Sequence, residues 1–107
     1  IIIAGAGNDE VIASGGADRV TLGAGFDVVE IAGHDNGDLL QIIDFTPNED
    51  VLDLRNAGIA NFAVIQQAMV DTASGNVQID LSANNLGIFI LKGLTSAQLD
   101  SGDFGFV

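Results

Sequence analysis

Three aspartates, Asp9, Asp18 and Asp27, recur at intervals of nine residues, each two places after a glycine (Gly7, Gly16, Gly25) and two before a valine (Val11, Val20, Val29). Carboxylates are hard oxygen donors, and glycines let backbone carbonyls approach one point with no Cβ in the way. The three blocks are AGAGNDEVI, ASGGADRVT and LGAGFDVVE. A period of nine reads as a repeated unit, each unit a Gly-rich turn followed by a very short strand. The valine points inward, its neighbours point outward, and the aspartate ends the turn.

Such units place the acidic groups in a definite relation. Strands on alternating faces bring turns eighteen residues apart onto one edge, with Asp9 over Asp27 and Asp18 over its equivalent in the next turn. Stacked strands lie about 4.8 Å apart, so two ionised carboxylates repel by roughly 3 kcal/mol at an effective dielectric of about 20. A hard divalent cation removes that repulsion, because it accepts carboxylates together with backbone carbonyls. The stretch therefore reads as a calcium-bound parallel β-roll.

Residues 4–30 resemble the nonapeptide repeats of the RTX family, whose pattern is G-G-x-G-x-D-x-hydrophobic-x. The first place of the pattern holds Ala4, Ala13 and Leu22 rather than glycine, and Ser14 replaces glycine once in the second. The family scheme implies carbonyls from the second and fourth places of one turn and from the first and third of its stacked partner. One calcium ion would then take Gly5, Gly7 and Asp9 with Leu22, Ala24 and Asp27. Aligning Gly33–Asp38 as a further turn, with two residues inserted, puts Asp38 in the sixth place and Leu40 in the eighth. A second ion would take Ser14, Gly16 and Asp18 with Gly33, Asp35 and Asp38. About two ions are expected. Asp44 and Asp53 stay open between ligands of a third, with Gly23, Gly25 and Asp27, and solvated turn acids.

Composition agrees with a cation binder. Fifteen acidic residues against three basic ones give a net charge of −12, which argues against nucleic acid and anionic membrane surfaces as partners. There is no cysteine, so nothing is stapled by disulfides, and no apolar run approaches the length needed for membrane insertion. The 107 residues make one domain at most, and opening on Ile1 in mid-pattern leads us to expect more of the parent chain upstream.

Downstream, Leu39–Arg55 reads as two strands around a turn at Thr46–Asp50, and Asn61 caps a helix over 61–70 with Phe62, Ile65 and Met69 on one stripe. Asp71–Asn76 is a turn. Val77, Ile79 and Leu81 form the buried side of a strand, GIFIL is a central strand, and Thr95 with Gln98 makes a capping box. The expected fold is mainly β: a parallel β-roll over 1–41, continuous with a C-terminal β cap over 42–107 that carries one short α-helix.

The stretch from Asp38 to Leu54 resembles the DxIxDFxxxEDxIDL segment that follows the last repeat in type I-secreted proteins such as the serralysin proteases. Nearly the whole chain resembles the C-terminal module of that class. The resemblance implies a non-catalytic, secreted, extracellular module that folds on binding calcium. Asp103, Phe104, Phe106 and Val107 would then belong to the signal read by the type I secretion machinery. A structural or adhesive terminal module, or the end of an enzyme with its active site upstream, are the other readings. Catalytic motifs are lacking. Glu10 stands where a dinucleotide fingerprint needs its third glycine, Asp103-Phe104-Gly105 has no kinase context, and His34 is a lone histidine in a turn.

Overall fold

The computed structural model describes residues 2–13, 15–33, 35 and 37–106. It is mainly β, with one α-helix and two sheets whose strands are largely parallel. The first six strands are β1 (Ile2–Ile3), β2 (Glu10–Ala13), β3 (Ala17–Thr21), β4 (Val28–Ile31), β5 (Leu39–Ile42) and β6 (Val51–Asp53). They alternate between the sheets: odd strands join one and even strands the other. The chain continues with α1 (Phe62–Ala68), β7 (Met69–Asp71), β8 (Val77–Asp80), β9 (Ile88–Leu91) and β10 (Phe104–Gly105). The larger sheet runs β1-β3-β5-β9-β8-β7 and the smaller β10-β6-β4-β2. Pairing is parallel throughout except at β7–β8 and β8–β9.

The period of nine explains the first pairings. Ile2 pairs with Val20 and Val11 with Val29, each eighteen residues on. Alternate side chains turn inward: Val11, Ala13, Val29, Ile31 and Leu52 from the smaller sheet, Val20, Leu40, Ile42, Phe89 and Leu91 from the larger. These join one hydrophobic cluster with Ile65, Ile79 and Leu81. Each fully buried aliphatic residue contributes about 1.5–3 kcal/mol of transfer free energy.

The expected place of the fourth turn is corrected. Val20 pairs with Ile42 and Asp18 with Leu40, so the insertion after Ile31 is four residues and not two. Leu40 and Ile42 both face the core, and that alternation sets the register whatever the length of the polar loop before it. Asp38 therefore falls opposite Gly16 rather than Asp18.

The helix begins where Asn61 caps it, its side-chain oxygen accepting the Val64 N–H at 3.3 Å. It stops earlier than expected, and Met69–Asp71 becomes β7, antiparallel to β8. Ile65, the buried residue of the helix, is seated in the core, and the segment after it pairs along the edge of β8. Among the described residues, no helix is long and apolar enough to cross a membrane.

Candidate metal centre

The turn edge of the smaller sheet brings the first and third blocks together. The Gly5 and Gly7 carbonyls press against the α-carbons of Gly23 and Gly25, where any Cβ would overlap those oxygens. Gly7 N–H donates to the Ala24 carbonyl at 3.1 Å, and Phe26 N–H to Asn8 Oδ1 at 2.7 Å. Below them, Asp27 Oδ1 accepts the Asp9 N–H at 2.8 Å, while Val28 N–H donates to the Asp9 carbonyl at 2.9 Å. Residues Gly5, Gly7, Asp9, Leu22, Ala24 and Asp27 thus lie in two stacked turns.

Two oxygens in this group are out of balance. Asp9 Oδ2 and Asp27 Oδ2 are buried and make no hydrogen bond, and Asp27 as a whole is 0 % exposed. An ionised carboxylate oxygen in that position costs several kcal/mol without a compensating charge or donor. A calcium ion would supply that charge, and carboxylate oxygens are the hard donors it accepts. Among the described residues, no three acidic or histidine side chains gather around one point. The remaining coordination would have to come from backbone carbonyls, and those of Gly5 and Gly7 lie in these same turns. The residues fit the ion.

The second predicted set is arranged differently. Ser14 lies outside the described residues, as do Ile1, His34 and Val107. Asp38 Oδ1 accepts the Gly16 N–H at 2.9 Å and Oδ2 the Asp35 N–H at 2.8 Å, while the Gly16 carbonyl accepts from Leu39. The Gly33 carbonyl and Asp38 Oδ2 crowd Gly15, and the Asp35 and Asp38 carbonyls crowd Gly87. Asp18 stands on β3 opposite Leu40, so the Asp18 and Asp38 carboxylates are not register partners.

Asp44 and Asp53 are both engaged. Asp44 takes the Leu22 N–H at 2.8 Å and the Gly23 N–H at 2.9 Å, which holds the third turn from outside. Asp53 is gripped by Arg55, with Nη2–Oδ2 at 2.7 Å and Nε–Oδ1 at 3.0 Å, and that guanidinium holds its pKa below the usual value.

The residue that sequence reasoning missed is Asp50, 1 % exposed. Val28 pairs with Val51, which makes Asp50 the register equivalent of Asp27, itself the equivalent of Asp9. Asp50 Oδ1 accepts the Asp27 N–H at 3.0 Å and Oδ2 the Thr46 N–H at 2.8 Å. Burial pushes its carboxyl up, those amides oppose the shift, and the Asp27 and Asp44 carboxylates add to it. The signal was present: Asp50-Val51-Leu52 repeats the order of Asp27-Val28-Val29 without the glycines.

Residues 1–29 match the family model of the RTX calcium-binding nonapeptide repeat (4 copies). No curated protein and no solved structure matches the chain.

Proposed function

We propose that the N-terminal turns form a parallel β-roll that binds calcium, in a non-catalytic module of a secreted protein, and that residues 42–107 cap it. The observation that carries this reading is the pair of buried, partnerless oxygens Asp9 Oδ2 and Asp27 Oδ2 on adjacent stacked turns. The match of residues 1–29 to calcium-binding repeats supports it independently. Gly5, Gly7, Leu22 and Ala24 would supply carbonyls to the same ion. A second ion would use the Gly33–Asp38 turn, where Gly33, Asp35 and Asp38 present oxygens beside Gly15 and Gly87.

On this reading, calcium binds the folded chain and not the unfolded one, which stabilises the fold by about 4 kcal/mol when calcium stands a thousandfold above its dissociation constant. Where calcium is scarce, repulsion between stacked carboxylates keeps the turns open and the chain fit for export by a type I machinery. In the folded chain Asp103 and Phe104 are buried, so an exporter that reads them meets the chain before it folds. Far-UV circular dichroism tests the proposal: β signal should appear on adding calcium and vanish with chelator. A folded spectrum unchanged in excess chelator contradicts it.

A further inference from the structure

Among the described residues, four acidic side chains are buried: Asp27, Asp50, Asp53 and Asp103. Asp53 has a guanidinium partner. The other three receive only backbone amides, and those amides form a relay. Asp103 Oδ1 accepts the Asn48 N–H at 2.8 Å and its Oδ2 the Asp100 N–H at 2.9 Å. Asn48 lies in the Thr46–Asp50 turn and adopts a left-handed φ of 68°. From the same turn, Asp50 reaches the Asp27 N–H, and Asp27 reaches the Asp9 N–H. Strand β6, which leaves this turn, is hydrogen-bonded to β4 on one side and β10 on the other.

We infer that Asp50 and Asp103 are positioning residues that couple calcium binding at Asp9 and Asp27 to the docking of the C-terminal strand β10. This rests on the calcium reading proposed above. Neither residue needs to touch the ion. A buried carboxylate tolerates little slack, because a lost amide partner leaves charge desolvated and unpaired. If β10 undocks, Asp103 goes with it, the Asn48 amide loses its acceptor and the strained turn is free to relax. Asp50 then no longer fixes the backbone of Asp27, whose carboxylate would hold the ion together with that of Asp9. Coupling between sites is reciprocal in binding free energy, so the ion stabilises β10 as much as β10 favours the ion.

The test uses the full chain, titrated with calcium in a calorimeter and followed by amide NMR in saturating calcium. Asp103→Asn keeps the size of the side chain but offers one acceptor where two are needed. It should weaken calcium binding about tenfold and shift the Asp27 amide resonance, two strands across the sheet. Asp71→Asn is the control, an exposed carboxylate that accepts from Ser96 in the same cap outside the relay; it should change neither. Parent-like affinity in Asp103→Asn overturns the coupling, as does weakened affinity with the Asp27 resonance unmoved. Should Asp103→Asn fail to fold, Asp50→Asn cuts the relay at its middle link; weaker calcium binding with a shifted Phe104 amide, which bonds to Ser101 and not to Asp50, supports the coupling, and either one unchanged overturns it. If the parent chain binds no calcium, the proposed function falls as well, whereas parent binding with an unaffected Asp103→Asn sinks the coupling alone.

Discussion

Asp27 reaches back one strand spacing to accept the backbone N–H of Asp9 at 2.8 Å, and in doing so leaves its second oxygen buried with no partner. One oxygen thereby fixes the stacking of two turns, while the other is the one a cation would take on the proposed reading. Replacing this residue tests both roles. Asp27→Ala should lower calcium affinity by at least about tenfold, since a charged ligand is lost from a site that has few. Asp18→Ala, on a strand position opposite Leu40, should do less. Calcium calorimetry on both variants decides the order, and the reverse order would mean that the ion sits elsewhere.

Gly25 has no room for a side chain. A Cβ there would overlap the Gly7 carbonyl oxygen, and its φ of 114° disfavours any L-residue. Gly25→Ala should therefore cost about 3 kcal/mol from strain and overlap together and abolish tight calcium binding. Gly58 also has a positive φ, at 80°, but faces open space. Gly58→Ala should cost only about 1 kcal/mol and leave calcium binding alone. Urea midpoints in excess calcium compare the two.

Much of this was legible beforehand. The nine-residue period fixed the pairing of Val11 with Val29 and of Ile2 with Val20, because an apolar residue in the eighth place of every block of nine can satisfy only one register. The turn before Leu39 escaped that logic: a polar loop of arbitrary length carries no register, and only the inward pair Leu40 and Ile42 sets it. Asp50 escaped because the glycines that mark its counterparts are missing around it. Strand β7 escaped because its pairing with β8 is a long-range event, and Met69 continues the helical stripe as well as it starts a strand.

The ion pair of Asp53 gives a pH dependence with a definite sign. Arg55 holds the Asp53 pKa below its ordinary value, so the stabilisation is complete above the ordinary aspartate pKa of about 3.9 and is lost as pH falls through the lower, folded value. Urea midpoints between about pH 5 and pH 2.5 should fall less steeply for Arg55→Met than for the parent. Asp71 and Asp80, held low by Ser96 and Ser82, contribute equally to both proteins and cancel in the comparison. Identical slopes would mean that the pair adds nothing in solution.

Phe89 and Phe26 separate core from surface. Phe89 is 0 % exposed at the centre of the larger sheet, and Phe89→Ala should cost about 3–5 kcal/mol. Phe26 is 60 % exposed on the third turn, and Phe26→Ala should stay within about 0.5 kcal/mol of the parent. Chemical denaturation in saturating calcium measures both. A large loss at Phe26 would point to a contact made only in solution.

Calcium binding as proposed requires carboxylates from two stacked turns to share one ion. Anomalous diffraction from crystals grown in saturating calcium addresses that directly. It should place a calcium peak about 2.3–2.6 Å from both Asp9 Oδ2 and Asp27 Oδ2, with backbone carbonyls completing the shell. Water alone at that position, or the two carboxylates turned away from each other, would contradict it.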